Sequence, residues 1–350
     1  MIRCGYTAAF QEEKMKAFEV KNSFGIDSLT LVGKPEPSPG HGQVVIRVRA
    51  VSLNYRDLLV VKGLYNPKIP LPFVPFSDGV GDVVSMGEGV SRVKVGDRVA
   101  GIFMQKWLSG EVAEEKAKSA LGGGGVGMLS EYVALHEDGV VHIPEHLSYE
   151  EAATLPCAGV TAWHAVVEHG LKPGDSVLLL GTGGVSLFAL QFAQMSGARS
   201  VITSGSDKKL EKAKALGATD GINYRSVPGW DDQVRELTGG IGVDLVVEVG
   251  GAGTLPQSLR AVRMGGRISL IGVLSGAEGE VNPRSIIMKK IRVQGIFVGS
   301  REMFEAMNRA VTLHQLRPVI DRVFPFEDAP EALRYMESGA HFGKICIRVN

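Results

Sequence analysis

The chain has 350 residues, 38 basic and 38 acidic side chains, and a hydrophobic content of 44%. This length suits two domains, and the composition argues against intrinsic disorder. The balanced charge argues against a strongly basic nucleic-acid-binding platform. The three cysteines, Cys4, Cys157 and Cys346, are too few and too scattered for a disulfide framework or a four-cysteine zinc site, and they favour a reducing, cytoplasmic setting.

The N-terminal half predicts a β-rich domain. The first twenty residues lack the apolar core of a secretory signal, and residues 1–14 are interpreted as an extension because Met15 begins a sequence typical of a protein start. In residues 43–54, Val44, Ile46 and Val48 alternate with arginines, a pattern typical of half-buried antiparallel strands. Residues 105–126 are charged and then glycine-rich, which predicts an excursion or mobile loop.

After about residue 148 the sequence alternates short apolar strands with amphipathic helices. Strands are predicted at 177–180, 201–203, 222–224, 245–249, 267–271 and 291–298. Helices are predicted from about 185 and at 207–218, 230–238 and 255–264, followed by helices near 302–312 and 329–338 and a strand at 344–349. This alternation predicts an α/β fold with a parallel sheet covered by helices.

One uncharged stretch, SVLLLGTGGVSLFALQFAQ at residues 176–194, is long enough to span a membrane. Its central glycines favour a strand, a tight turn and a helix instead. Gly181 permits the turn, and Gly183 lets the backbone approach a pyrophosphate, which the N–H groups of the following helix would stabilise. Ser186 replaces the last glycine of the usual G-x-G-x-x-G pattern, but the surrounding strand–helix alternation favours dinucleotide binding. The predicted turn comprises Gly181, Thr182, Gly183, Gly184 and Val185.

The end of the second predicted strand indicates which coenzyme binds. An NAD site usually has an acidic residue there, whereas this chain has Ser204, followed by Ser206 and Lys209, with Tyr224 at the end of the third strand. Hydroxyl groups and an ammonium can hold a 2′-phosphate that a carboxylate would repel. The sequence therefore predicts NADP(H), although Lys208 and Lys209 could simply form the solvated face of a helix.

The whole chain from Met15 onward resembles the medium-chain dehydrogenase/reductase superfamily. The resemblance rests on the segments VSLNYRDL, PFVPFSDGVGDVVSMGEGV, VGDRV, EYV, LPCAGVTAWHAV, LLLGTGGVS and AHFGKICIRV. It implies a GroES-like catalytic domain over residues 15–147 and a Rossmann doubly wound sheet over residues 148–290. Residues 291–350 would supply the last Rossmann strand and return to the catalytic domain. It also implies a homodimer paired through KIRVQGIFVG, residues 290–299.

The resemblance argues against a metal centre. Zinc-dependent members hold the metal with cysteine and histidine, and the matching positions here are Asn54, Ser77 and Cys157. One thiol does not make a zinc site, so Cys157 is interpreted as a small buried hydrophobic residue. Among the histidines, His164 and His169 are five positions apart on a predicted helix and are expected not to share a face.

Without zinc, the chain is similar to the quinone and enone reductases of this superfamily, notably at LNYRDLLVVKGLY. This similarity implies NADPH-dependent hydride transfer to quinones, enones or related activated carbonyl compounds. Tyr55 and Asn54 are the candidate donors to the developing enolate oxygen, although Tyr55 could instead pack beneath the nicotinamide. Arg56 and Asp57 are interpreted as a local ion pair.

The resemblance implies further coenzyme contacts, for each of which packing or turn geometry is an alternative role. These residues are Thr161, Gly250, Gly272, Val273, Phe297, Val298, Gly343 and Lys344, the last reaching the coenzyme phosphates. The substrate pocket is expected among residues 65–76, the loop around Trp107 and residues 297–301. Two other functions stay open: an alcohol dehydrogenase of the same superfamily, and a non-catalytic NADPH-binding sensor. Neither nucleic acid nor a membrane is expected as a partner.

Overall fold

The computed structural model describes residues 14–349. Of the predicted extension, only Lys14 is among the described residues, and it opens the first strand. The strands are β1 (Lys14–Val20), β2 (Leu29–Pro35), β3 (Gln43–Ser52), β4 (Asp78–Met86), β5 (Arg98–Gly101), β6 (Tyr132–His136), β7 (Val140–His142), β8 (Ser176–Leu179), β9 (Arg199–Ser204), β10 (Asp220–Asn223), β11 (Val243–Glu248), β12 (Val262–Leu270), β13 (Arg292–Gly295), β14 (Ile320–Pro325) and β15 (Lys344–Arg348).

The α-helices lie between these strands, and two π-helical turns, Leu155–Gly159 and His164–Glu168, flank the fourth of them. The helices are α1 (Tyr55–Val61), α2 (Glu114–Ala117), α3 (Tyr149–Ala153), α4 (Val160–Trp163), α5 (Gly184–Met195), α6 (Asp207–Ala215), α7 (Trp230–Leu237), α8 (Leu255–Ala261), α9 (Pro283–Met288), α10 (Arg301–Leu313) and α11 (Ala329–Glu337).

The strands of the N-terminal half after β2, together with the last two strands of the chain, form a sheet in the order β14-β15-β3-β4-β5-β7, with β6 also paired to β3. The strands from this half pair antiparallel, as the sequence predicts. Val44, Ile46 and Val48 of β3 are fully buried, whereas Arg47 and Arg49 are half-buried. The closing strand β15 pairs antiparallel with β3, so the end of the described chain completes the sheet begun near its start.

The second large sheet has the order β10-β9-β8-β11-β12-β13, and all of its strands run parallel. This is the doubly wound arrangement. From β8 in the middle of the sheet, the next two strands are added towards one edge, and from the neighbouring β11 the next two are added towards the opposite edge. Ligands of such sheets bind beyond the carboxyl ends of the strands at this switch point. The predicted α/β class and parallel sheet are thus confirmed.

Two predicted boundaries are wrong. The helix α8 ends at Ala261, and residues 262–264 belong to β12, because the buried Val262 pairs with Val243 in β11. The last strand of this sheet, β13, is shorter than the predicted 291–298. Beyond Gly295 the chain leaves the sheet edge, and Val298 has a φ of 57°, a value incompatible with a continuing strand.

The predicted excursion at 105–126 is irregular apart from α2, but both of its ends are packed. Trp107 and Leu121 are 3% and 2% exposed. The Trp107 carbonyl accepts the amide of Arg301 at 2.9 Å, which ties the excursion to the start of α10.

No helix among residues 14–349 is long and apolar enough to cross a membrane. The uncharged stretch at residues 176–194 is divided between β8 and α5.

Candidate active site

A cavity of about 670 Å³ lies at the carboxyl ends of β8, β9 and β11, where the two large sheets face each other. The β-rich half contributes Leu53–Arg56, which follow β3 and begin α1. The parallel sheet contributes residues from the ends of all six of its strands, namely 180–186, 204–206, 224–225, 249, 271–274 and 296–298. The cavity therefore coincides with the switch point at which doubly wound sheets bind ligands.

The glycine turn after β8 offers open backbone to the cavity. Gly181 has a φ of 75°, a conformation that other residues rarely adopt. A Cβ atom on Gly183 would meet nothing within 4 Å, so the free space lies against the backbone itself. The helix α5 begins at Gly184 without a side-chain cap, which leaves its first N–H groups available to an anion.

Ser186 takes the place of the missing third glycine. It is 1% exposed, and its hydroxyl donates to the Leu180 carbonyl at 2.7 Å. The small side chain therefore satisfies its own polar group and ties the helix to the end of β8.

The charge of the cavity suits an anionic dinucleotide. Glu337 is the acidic member of the lining, and it pairs with Lys62 at 2.5 Å. The basic side chains of the lining are Arg56, Lys209, Arg225 and Lys344.

The end of β9 carries no acid. Ser204 is 4% exposed, and its hydroxyl accepts the Ser206 amide at 3.3 Å. The nearby carboxylate of Asp207 is turned away and accepts the Asn223 side-chain amide at 2.8 Å. The open side is bordered by Ser206, Lys209, Tyr224 and Arg225.

Lys209 spans this end of the cavity. Its ammonium donates to the Gly339 carbonyl at 2.8 Å, and burial lowers the pKa of the amine. Arg225 was not predicted, although its position directly after Tyr224 at the end of β10 was the available signal.

A buried polar network lies beneath the other end of the cavity. The Lys344 ammonium donates to the Leu53 carbonyl at 2.5 Å and to Asn54 Oδ1 at 2.6 Å. The Asn54 amide approaches Ser77 Oγ at 3.4 Å, and that hydroxyl donates to Asp78 at 2.8 Å. The Lys344 ammonium is therefore directed at the Asn54 loop, while the aliphatic part of its side chain packs against Gly184 of the glycine turn. Its predicted contact with the coenzyme phosphates stays a prediction.

The residues at the superfamily's zinc-ligand positions do not fit a zinc ion. Asn54 Oδ1 already accepts an ammonium, and Ser77 offers a neutral hydroxyl. Burial raises the pKa of the Cys157 thiol far above its ordinary value, which disfavours the thiolate that zinc requires. Within residues 14–349 no three histidine, cysteine or acidic side chains come together as a metal site. Cys157 packs against the hydrophobic core, as interpreted from the sequence, but it is only half-buried and lines the cavity.

Asp57 anchors the loop that carries the candidate catalytic residues. Its side chain accepts the backbone N–H of Asn54 at 2.8 Å, which caps the start of α1. The carboxyl group is fully buried, and this burial raises its pKa to about 6. The predicted ion pair is present, with Arg56 Nη1 at 3.8 Å from Asp57 Oδ1.

Tyr55 and the segment after β13 face each other across the cavity. Tyr55 is 42% exposed, and Phe297 is 41% exposed and packs edge-on against Phe103. His164 fixes this segment through a 2.8 Å contact between Nδ1 and the Val298 carbonyl. Since a carbonyl only accepts, the proton lies on His164 Nδ1.

The expectation that His164 and His169 do not share a face is wrong. Their rings pack edge-to-face with centroids 5.8 Å apart. The physical reason is the π-helical turn at His164–Glu168, whose wider spacing brings positions five apart onto one side. His169 approaches Ser269 Oγ at 2.9 Å, and burial lowers its pKa to about 4.

The structure brings the predicted site residues together at one cavity, with Gly250 as the exception. Its amide donates to the buried Glu248, and its neighbour Val249 lines the cavity instead. The predicted residues that do line it are Asn54, Tyr55, Thr161, Gly181, Thr182, Gly183, Gly184, Val185, Ser204, Ser206, Lys209, Tyr224, Gly272, Val273, Phe297, Val298, Gly343 and Lys344.

Curated proteins are similar to most of the chain. A zinc-type alcohol dehydrogenase-like protein of Schizosaccharomyces pombe is 45% identical over 88% of this chain and 91% of its own length. A quinone oxidoreductase of Homo sapiens is 29% identical over 85% of each chain.

Solved structures agree with the fold. The crystal structure of an alcohol dehydrogenase from Sinorhizobium meliloti is 43% identical and has a TM-score of 0.91, covering 97% of this chain and 100% of its own. An NAD-dependent alcohol dehydrogenase (36% identity, TM-score 0.88) covers 96% of this chain and 100% of its own. A mycobacterial protein complexed with NADPH (27% identity, TM-score 0.79) has the same coverage.

Two family models divide the chain in the same way as the two large sheets. The model of an alcohol dehydrogenase GroES-like domain matches residues 40–145, and that of a zinc-binding dehydrogenase matches residues 184–312. The GroES-like domain predicted from the resemblance is thereby confirmed. By its fold, its glycine turn and these relatives, the chain belongs to the medium-chain dehydrogenase/reductase superfamily of oxidoreductases.

Proposed function

We propose that this oxidoreductase is zinc-independent and uses NADPH to reduce quinones, enones or related activated carbonyl compounds. The observation that carries the proposal is the network of Lys344, Asn54, Ser77 and Asp78. Two of its members, Asn54 and Ser77, stand at positions that the resemblance matches to the superfamily's zinc ligands. A buried ammonium at this place repels a metal cation. It also supplies a fixed positive charge beside the substrate end of the cavity.

The residues around the glycine turn and β9 suit NADPH. The coenzyme, when bound, supplies the hydride. The open N–H groups at the start of α5 would bind its pyrophosphate. Ser204, Ser206, Tyr224 and Arg225 would bind a 2′-phosphate through hydroxyl and guanidinium donors. Lys209 would join them by giving up its contact with the Gly339 carbonyl.

The Lys344 contact fixes which way the Asn54 amide points. An ammonium only donates, so the Asn54 atom at 2.6 Å is the oxygen, and the NH2 group is directed away from Lys344. One of its hydrogens faces Ser77 at a long 3.4 Å, and because Asn54 lines the cavity we propose that this NH2 group donates to a bound substrate. Together with the Tyr55 hydroxyl it can stabilise an enolate oxygen as charge develops there.

Coenzyme oxidation by metal-free protein tests the proposal. Purified protein treated with a chelator would be offered NADPH or NADH with a panel of quinones and α,β-unsaturated carbonyl compounds. We expect turnover that survives the chelator and is faster with NADPH than with NADH.

Other outcomes identify the alternatives. Activity with about one bound zinc per chain, lost on chelation, would establish an alcohol dehydrogenase of the zinc-dependent type. NADPH binding with no oxidation across the panel would favour a sensor.

The homodimer also belongs to this proposal. The strand β13 forms one edge of the parallel sheet, and an unpaired edge readily accepts a second strand. We further propose a cytoplasmic location, on the strength of the low cysteine content.

A further inference from the structure

Arg56 lies at the end of the cavity proposed for the substrate, and its surroundings are aromatic. Its guanidinium carbon lies 5.2 Å from the centre of the Tyr65 ring and 5.0 Å from that of Phe103. The side chain is 13% exposed and lines the cavity beside Tyr55 and Leu59. A cation is thus held against two aromatic rings in the wall of the cavity.

The hydrogen-bonding capacity of this guanidinium is mostly unused. Nη1 donates to the Leu121 carbonyl at 2.6 Å. Nε is buried without a partner among residues 14–349, and Nη2 also has no acceptor within the described part of the chain. Asp57, the carboxylate beside it, lies 3.8 Å from Nη1, outside hydrogen-bond distance, and its other oxygen caps α1.

The backbone opposite Arg56 makes room for Nη2. A Cβ atom on Gly123 would lie 2.6 Å from Nη2, so a side chain there would displace the guanidinium. Tethering Leu121 needs only Nη1 and does not explain why Nη2 has no acceptor within residues 14–349. An anionic ligand does, because a guanidinium presents paired N–H groups that match a carboxylate.

We infer that the substrate carries a carboxylate, or an equivalent anionic group, in addition to its reactive carbonyl, and that Arg56 binds it. This inference rests on the proposed reductase function. The carbonyl lies towards Asn54 and Tyr55, and the anionic group lies towards Arg56. The aromatic rings of Tyr65, Phe103 and Phe297 favour a flat, unsaturated carbon frame between them.

A matched pair of enones tests the inference: benzylideneacetone, and benzylideneacetones that carry a meta or para carboxylate. With the wild-type protein we expect a kcat/KM at least tenfold higher for one of the carboxylates than for the neutral enone. Arg56→Met should abolish this ratio while the neutral enone is still reduced. Arg56→Lys should retain part of it, because it keeps the charge and loses the paired geometry.

A control and a binding measurement separate the possible failures. Arg309→Met removes the same charge from an exposed position outside this cavity and should leave the ratio unchanged. Equal reduction of both enones by the wild-type protein, or an equal loss with both in Arg56→Met, would overturn the inference and leave Arg56 as a tether for Leu121. If neither enone is reduced, the panel of quinones and other unsaturated carbonyl compounds decides the proposed function. Calorimetric binding of the carboxylate to wild-type protein and Arg56→Met in the presence of NADP then decides the inference by itself.

Discussion

Asp57 shows how a side chain that touches no substrate sets the conditions under which the site is stable. Its carboxyl group is fully buried, and one of its oxygens has no partner among the described residues. The folded-state pKa of about 6 lies above the ordinary 3.8. Between these values the unfolded chain loses the proton and the folded chain keeps it, so stability falls as the pH rises through this window.

Asp57→Asn should therefore gain stability relative to the wild type as the pH rises. The amide keeps an oxygen that can accept the Asn54 N–H and carries no charge to bury. A shift of about two pKa units corresponds to roughly 3 kcal/mol between pH 4 and pH 7. Urea unfolding at several pH values measures the difference. The same substitution at the exposed Asp27 controls for the change in net charge, and a difference that does not vary with pH would contradict the prediction.

Some residues of the site can be predicted from the sequence, whereas others cannot. The glycine turn, Ser204 and Tyr224 follow from local spacing, because each stands at a fixed place after a strand. The contact between Lys344 and Asn54 joins positions 290 residues apart, and no local pattern predicts it. The approach of His164 to His169 depends on a π-helical turn that a regular helical repeat does not predict.

At the scale of elements, the residue that ends β9 is expected to decide between NADPH and NADH. A carboxylate in place of the Ser204 hydroxyl would repel a 2′-phosphate and accept hydrogen bonds from a free ribose. We expect Ser204→Asp to weaken NADPH binding by about a hundredfold and to strengthen NADH binding.

Fluorescence titration of both nucleotides measures this change without requiring a substrate. Ser206→Ala, which removes a hydroxyl and adds no charge, should weaken NADPH binding only severalfold and should not improve NADH binding. Unchanged NADPH affinity in Ser204→Asp would place the 2′-phosphate elsewhere.

At the level of elements, the sequence predicted the parallel sheet and its glycine turn but misplaced two boundaries. The helix α8 runs directly into β12 with no intervening turn residues, so the sequence contains no break at Val262. The apolar run from Ile291 to Val298 resembles one strand, yet only its first half stays in the sheet. The second half lines the cavity, where Val298 adopts a positive φ.

The proposed dimer depends on which backbone groups of β13 face outward. The Ile296 amide donates to Leu270 in β12 at 2.8 Å. Because successive amides of a strand point to opposite sides, the Gly295 amide faces the free edge. A Cβ atom at Gly295 would meet nothing within 4 Å, so larger residues fit there.

Gly295→Pro should give a monomer, because it removes an outward N–H group from the pairing edge. Gly295→Ala keeps that group and should remain a dimer. Size-exclusion chromatography with light scattering distinguishes the two states, and a wild-type monomer would overturn the proposed pairing.

The position of β15 has a consequence for how the molecule is made. This strand pairs with β3, whose residues are synthesised almost three hundred positions earlier. Until Lys344–Arg348 leave the ribosome, the edge of β3 at Ala50–Ser52 has no partner and is open to other chains. The β-rich half therefore cannot finish folding before the dinucleotide-binding half has been translated. Any nascent chain that stalls between the two halves would expose an unpaired edge of a strand that lies at the centre of the finished sheet.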